Sequence, residues 1–260
     1  GKTVKYRPLK GSEWTTCWIT FAGRYAQNFL ALDTCVLTGD FSFISAAIDE
    51  MYANFDSEDG EEFCFKVNGI KIFAMGANFV PIDSLPSKES NERLEKLIQG
   101  CIFANFNCVR VWGGAYYPRD HFYELCDKYG LIVWQDFMVA CANVWLNEDN
   151  TREFKAEAIY NLKRIRHHAA LGLLCGNNEM EEAVLHWECA DGNDPLVRAD
   201  YLKLYEDILP AIAVEYAPYI SYTPSSPTSG GGFDYPQDPT RGDVHFWDVW
   251  HGNCGFDEYR

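Results

Sequence analysis

The chain has 260 residues, of which 47% are hydrophobic and 15% aromatic, so it is long enough to bury a sizeable core in one or two domains. Its formal net charge of −16 argues against nucleic acid as a partner, because phosphate binding needs clustered Lys and Arg. The 10 cysteines stand singly without metal-ligand spacing, and no apolar stretch approaches the ~20 residues that span a bilayer, so we expect a cytoplasmic protein without a membrane partner or metal.

The beginning of the chain differs in character from the rest. Residues 1–60 contain apolar clusters without sustained periodicity, and we interpret them as a short β-leaning segment. Asn68-Gly69 then stands between two runs of alternating polarity, which predicts a β-hairpin. We therefore expect an N-terminal segment, residues 1–60, and a second unit, residues 61–260.

After the hairpin, short apolar strands alternate with amphipathic helices. We predict strands at 71–77, 107–112, 131–136, 171–176, 219–223 and 243–248, and helices at 90–104, 118–129, 152–168 and 196–215. Ser90 or Asn91 is expected to cap the first helix, while Pro118 begins the second and Gly130 ends it. Such alternation indicates βαβ units and a parallel sheet.

Polar or aromatic residues follow each predicted strand. The apolar run 171–175, for example, leads into Asn177, Asn178 and Glu179. In a β/α barrel such strand ends converge at one mouth, whereas an open doubly wound sheet usually carries a glycine-rich phosphate loop, and no such motif occurs here. We therefore predict an α/β fold, a (β/α)8 TIM-type barrel that is incomplete, with about six strands present.

These strand ends suit the hydrolysis of a glycosidic bond. That reaction needs one carboxylic acid to protonate the leaving oxygen and a second carboxylate about 5 Å away for retention. Glu179 is the candidate general acid/base. Several tryptophans follow the predicted strands, and an indole can bury an apolar sugar face while its N–H binds a hydroxyl.

Six ordered motifs add a family resemblance. They are GANFVPIDS at 76–84, NCVRVWGG at 107–114, FYELCD at 122–127, LIVWQDF at 131–137, CGNNE at 175–179 and SSPT at 225–228. Together they resemble the catalytic barrel of glycoside hydrolase family 2, and within it the β-mannosidase branch. The resemblance begins near residue 60. We interpret the N-terminal segment as a remnant of the immunoglobulin-like domain that precedes this barrel in the family, although it matches that domain poorly.

The resemblance implies roles for individual residues. Glu179 matches the general acid/base, a role that favours a raised pKa. Asn178 matches the residue that hydrogen-bonds the sugar 2-hydroxyl, and Arg110 matches an arginine that keeps the nucleophile ionised. Asp136 either supports the site or fastens neighbouring loops, and both interpretations stay open.

The resemblance also implies a pocket with aromatic walls. Trp112 and Trp187 match walls of the sugar subsite, and His245 with Trp247 match the contribution of the sixth strand. The expected partner is a β-mannoside, and no cofactor is implied.

The sequence departs from the family at the nucleophile. This residue belongs on the seventh strand, in a motif like Ser-Glu-Tyr-Gly that does not occur between Gly1 and Arg260. The span from residue 71 onward is also shorter than the ~250 residues typical of a complete barrel. We therefore expect a fragment that lacks its nucleophile and is nearly inactive alone. Its open edges are expected to aggregate or pair with another chain, including as a homo-oligomer.

Three other functions remain open at this point. A non-catalytic carbohydrate-binding or assembly module would keep the aromatic walls without a nucleophile. A β-galactosidase or β-glucuronidase of the same family would perform the same reaction on another sugar. A metal- or phosphate-dependent barrel enzyme is the least supported, because no His/Asp cluster or phosphate loop is present.

Overall fold

A computed structural model describes residues 63–259. The N-terminal segment, residues 1–60, lies outside the described residues, so its interpretation stays a prediction. The predicted hairpin is confirmed: β1, Phe65–Val67, pairs antiparallel with β2, Ile70–Ile72. Asn68 and Gly69 form the turn with φ values of 53° and 73°, as a two-residue hairpin with the twist of its strands requires.

The remaining strands form one parallel sheet. They are β3, Gly76–Phe79; β4, Cys108–Val111; β5, Ile132–Asp136; β6, Leu171–Cys175; and β7, Ser221–Thr223. Neighbours along the chain are neighbours in the sheet, and every pair is parallel. This confirms the predicted α/β class. Over residues 63–259 the sheet has five strands with β3 and β7 at its ends, so it is not a closed barrel.

Two predicted strands are wrong. Residues 71–77 are not one strand, because Asn107 accepts from the amide of Met75 and donates to the carbonyl of Phe73, turning the chain between β2 and β3. Residues 243–248 are not a strand either. Asp243 forms only an isolated antiparallel bridge with Thr228, and Gly242 before it has a φ of 68°. The sheet therefore has five strands rather than about six.

Helices follow the strands as expected. They are α1, Asn91–Phe103; α2, Asp120–Tyr129; α3, Glu148–Ile165; α4, Met180–His186; α5, Pro195–Leu202; and α6, Leu209–Tyr216, with a π-helical turn, Lys203–Ile208, joining the last two. Ser90 caps α1 by accepting from the amide of Arg93, and Gly130 ends α2 with a φ of 72°. Helix α4 is the one α-helix within residues 63–259 that the periodicity did not predict. None of the helices between residues 63 and 259 combines the length and apolar character needed to cross a membrane.

The core fixes β6 from both sides. Leu171 and Leu174 both pack into the main core cluster, and a register shift between β5 and β6 at Val133 and Trp134 lets these residues, three apart, share it. Leu173, on the opposite face, packs with Phe65 of the hairpin and Cys108 of β4. Burying each such side chain stabilises the fold by roughly 1.5–3 kcal/mol. The end of β6, where the candidate site begins, is therefore held rigidly.

Candidate active site

The turn after β6 is built by a buried amide. Asn177 is fully buried, and its Oδ1 accepts both from the amide of Met180 at 2.9 Å and from the hydroxyl of Ser225 at 2.8 Å. Its Nδ2 donates to the carbonyl of Pro224 at 2.9 Å, so the turn is fastened to the end of β7. Glu179 follows with a φ of 60°, in the left-handed region that few non-glycine residues adopt.

One group of predicted residues forms around a buried ion pair. Arg110 of β4 donates from Nε and Nη2 to the two carboxylate oxygens of Asp136 at 3.2 and 2.7 Å. The same Nη2 donates to Oδ1 of Asn178 at 2.9 Å, and the amide of Gly113 donates to Asp136 at 3.0 Å. Asp136 thus contacts both Arg110 and the loop after β4, so both interpretations of this residue stay open. The bond from Arg110 orients the Asn178 amide so that its Nδ2 faces other partners as a donor.

In the ion pair of Arg110 and Asp136, burial and the arginine charge shift the pKa of Asp136 in opposite directions. Burial raises the pKa of Asp136 to about 6, although the charge and hydrogen bonds of Arg110 oppose the rise. Removing Arg110 would leave a buried carboxylate without its countercharge, which is costly. We infer that the pair holds the Asn178 amide in place.

A second group surrounds Glu179. His245 donates from Nδ1 to Oε1 of Glu179 at 2.6 Å, and the indole Nε1 of Trp247 donates to the same oxygen at 3.2 Å. The Glu179 side chain is 14% exposed, and that of His245 is 16% exposed. The carboxyl group therefore lies beyond the carboxyl end of β6, and one of its oxygens accepts from two donors.

The pKa of Glu179 corrects one expectation. Burial raises it, but the hydrogen bond and charge of His245, with smaller contributions from Trp247 and Arg110, outweigh burial and hold the pKa below its usual value. The prediction of a raised pKa is therefore wrong for this arrangement. The residues described here favour the ionised carboxylate.

Residues behind His245 were not among the predicted site residues. His245 Nε2 lies 2.9 Å from the hydroxyl of Ser226, which donates to Oδ2 of Asp243 at 2.6 Å. Ser226 thus links the imidazole of His245 to the carboxyl group of Asp243. Gln237 further accepts from the amide of His245 at 3.0 Å. The polar strand end at Ser225-Ser226 was the available sequence signal.

The two predicted wall residues lie outside these hydrogen-bonded groups. Trp112 is half-buried, and its ring lies so close over Gly114 that a Cβ there would collide with it. Trp187 ends α4 and packs against the main core cluster. Within residues 63–259 no group of three His, Cys, Asp or Glu side chains is arranged to hold a metal ion.

Comparison with known proteins adds a family context. No protein-family model matches the chain. It is 38% identical over 204 residues to Beta-mannosidase B of Aspergillus niger, covering 74% of this chain and 24% of that protein. It is 39% identical over 201 residues to Beta-mannosidase B of Aspergillus terreus, again covering 74% of this chain and 24% of the relative.

A solved structure gives the same indication. The crystal structure of Beta-D-Mannosidase from Dictyoglomus thermophilum superposes with a TM-score of 0.73 at 36% identity, over 80% of this chain and 25% of that one. The chain thus spans about a quarter of the length of the relatives that it matches.

Proposed function

This chain is a homologue of the β-mannosidase branch of glycoside hydrolase family 2, and on that premise we propose that it belongs to a retaining glycosidase acting on terminal β-mannosides. Residues 61–260 are its catalytic barrel unit in this proposal. The observation that carries the proposal is the placement of Glu179 at the end of β6, where His245 and Trp247 hold one of its oxygens.

Glu179 is the general acid/base in this mechanism. It protonates the departing glycosidic oxygen and then takes a proton from the water that attacks in the second step. A general acid must carry a proton, whereas the described neighbours lower the pKa of Glu179. A second carboxylate about 5 Å away would raise that pKa by like-charge repulsion. The nucleophile would thereby also prepare its partner acid.

The second carboxylate is proposed to lie outside the described residues. Asp136 has both oxygens engaged by Arg110 and Gly113. Asp243 has both oxygens engaged by Ser226 and the amide of Thr228. Neither is free to attack an anomeric carbon. We place the nucleophile on a strand after Arg260, and expect the 260-residue polypeptide alone to be nearly inactive.

The substrate contacts follow from the two hydrogen-bonded groups. Nδ2 of Asn178, oriented by Arg110, is proposed to donate to the sugar 2-hydroxyl. Trp247 is 46% exposed and offers an indole face, while its N–H is bound to Glu179. Trp112 and Trp187 remain candidate walls that act through shape rather than hydrogen bonds to Glu179.

The acid/base role is tested with two aryl β-mannosides that differ in leaving group, using the full-length gene product. Glu179→Gln should slow hydrolysis of the substrate with the poor leaving group by roughly 10²–10⁴-fold, and that of the activated substrate far less. Added azide should restore turnover and yield a β-mannosyl azide. Glu182→Gln, in the first turn of α4, is the matched control. Equal losses on both substrates would contradict the assignment.

The nucleophile proposal needs a separate comparison. The 260-residue polypeptide should show almost no turnover on an activated aryl β-mannoside, while the full-length gene product hydrolyses it. Aryl β-galactoside and β-glucuronide in the same assay report which sugar is preferred. Comparable turnover by the two polypeptides would show that the nucleophile lies within residues 1–260.

A further inference from the structure

Glu181, two residues after Glu179, carries a carboxyl group that the proposed mechanism does not use. Its side chain lies in α4 and is fully buried. The charges that act on it, those of Glu206 in the π-helical turn and Asp234 in the loop after β7, have the same sign as its own and disfavour its ionisation. Burying a carboxyl group in such surroundings costs stability, which an apolar side chain of similar size would avoid. The presence of Glu181 therefore needs an explanation other than stability.

Glu181 holds the loop that follows β7. Its Oε1 accepts from the amide of Phe233 at 2.9 Å, and its Oε2 accepts from the hydroxyl of Thr228 at 3.3 Å. Between these two contacts, the three glycines at 230–232 have φ values of 111°, 93° and 71°, and Phe233 follows with a φ of 62°. A left-handed conformation costs energy for a residue with a side chain, so the bond from the Phe233 amide to Glu181 helps to fix the loop in this form.

Hydrogen bonds connect this loop to the candidate acid/base. The amide of Thr228 donates to Oδ1 of Asp243 at 3.1 Å, and the hydroxyl of Ser226 donates to Oδ2 of the same carboxyl group at 2.6 Å. Nε2 of His245 lies 2.9 Å from the Ser226 hydroxyl, and Nδ1 of His245 donates to Glu179 at 2.6 Å. All four distances are those of hydrogen bonds. A continuous series of contacts therefore runs from the hydroxyl that binds the buried carboxyl group to Glu179.

The segment that carries His245 depends on these contacts. Residues 243–248 belong to no sheet in the part of the chain that the structure describes. An isolated bridge between Asp243 and Thr228 joins the segment to the end of β7. The amide of His245 donates to the side chain of Gln237, which belongs to the same loop. A displacement of Thr228 is therefore expected to reach His245.

We propose that Glu181 is a positioning residue: by holding Thr228, it keeps His245 in hydrogen-bond contact with Glu179. Glu181 thus acts through His245 and not on the sugar. The inference rests on the proposed function in one respect, because it gives this contact a role in the proposed proton transfer.

The loss of the contact has a measurable effect on Glu179. Burial raises the pKa of Glu179, but the hydrogen bond and charge of His245 outweigh burial, with smaller contributions from Trp247 and Arg110. Burial also raises the pKa of the Cys141 thiol, whose charge would interact with that of Glu179, so this thiol is neutral near neutral pH. If His245 moves away, the pKa of Glu179 therefore rises.

Two pairs of variants test the proposal in the full-length gene product. Thr228→Val removes the hydroxyl at nearly constant size, whereas Thr228→Ser retains it. Glu181→Leu removes both acceptors, whereas Glu181→Gln retains an acceptor for the amide of Phe233 and offers a donor to Thr228. The two variants of Thr228 decide the question if Glu181→Leu does not fold.

The readouts are the pKa of Glu179, from carboxyl ¹³C NMR titration, and the pH profile of kcat/KM for an aryl β-mannoside with a poor leaving group. Thr228→Val and Glu181→Leu should raise this pKa, and with it the alkaline limb of the profile, by roughly 0.5–1 pH unit. The serine and glutamine variants should keep both at the wild-type values. Glu182→Leu is the matched control, because this neighbouring carboxylate in α4 pairs with His186 at 3.1 Å.

The outcomes separate the two proposals. An unchanged Glu179 pKa in Thr228→Val would overturn the positioning role, even if activity fell. A shift of the same size in Glu182→Leu would also overturn it, because it would show a general effect of α4. If the Glu179 pKa rises as expected but the alkaline limb does not follow, the positioning role stands and the proposed acid/base role fails.

Discussion

The protonation of Glu181 offers a quantitative test of the electrostatics behind the site. This side chain is fully buried, and its two oxygens accept from the amide of Phe233 at 2.9 Å and the hydroxyl of Thr228 at 3.3 Å. Burial raises its pKa to about 7, and the charges of Glu206 and Asp234 add to the rise. We predict that Glu181→Gln changes the pH dependence of stability.

The magnitude follows from linkage. The pKa of Glu181 rises from 4.5 unfolded to about 7 folded, so between these values the folded state binds more protons than the unfolded state. The contribution of Glu181 to stability is therefore lost as the pH rises through this window. At ~1.4 kcal/mol per pH unit, the loss is about 3 kcal/mol, and glutamine does not incur it.

The measurement is urea unfolding at half-unit steps from pH 4 to pH 8. Relative to the wild type, Glu181→Gln should gain about 3 kcal/mol across the window. Asp136 and Asp243, whose pKa values are also raised by burial, titrate in both proteins and cancel in the difference. Glu153→Gln, at a side chain that is 72% exposed, is the matched control. Parallel curves for wild type and Glu181→Gln would refute the reasoning.

The other predictions concern Glu179 and two glycines. His245→Asn should raise the pKa of Glu179, because burial remains while its main opposing donor is lost; carboxyl ¹³C NMR titration measures this, and an unchanged midpoint would contradict it. Trp247→Phe, which removes the longer hydrogen bond, should raise it less. Gly130→Ala should destabilise the protein by about 1 kcal/mol in urea unfolding, since its φ is 72°. Gly100→Ala, inside α1 with no atom near the added methyl group, should instead stabilise the protein by up to about 1 kcal/mol. If both substitutions changed the free energy of unfolding in the same direction, the reasoning would be refuted.

Local signals predicted much of the fold. The Asn68-Gly69 turn, the Ser90 cap and the glycine at position 130 act within a few residues, so their structural effect is readable from the chain alone. The alternation of strands and helices similarly predicted a parallel sheet. Helix α4 escaped detection because it spans only Met180–His186, about two turns, too short for a clear periodicity.

Long-range contacts account for what the sequence did not predict. The predicted strand at 243–248 has the alternation of a strand, yet its residues are held by side-chain hydrogen bonds rather than by a ladder: Ser226 donates to Asp243, and His245 donates to Glu179. The lowered pKa of Glu179 arises from the same contacts, which join residues far apart in sequence. The motifs singled out Glu179 as the candidate acid/base, but its electrostatic environment became visible only from the distances in the structure.

Asn178 and Glu179 are consecutive residues, but their side chains have different hydrogen-bond partners. Arg110 holds the amide of Asn178, and His245 and Trp247 hold the carboxylate of Glu179. The two side chains are thus positioned by different partners although one peptide bond joins their residues. In the proposed mechanism, selection for a different sugar and selection for a faster proton transfer would therefore act on neighbouring atoms. Improvement in one property is expected to perturb the other, which narrows the mutational routes by which such a site can diversify.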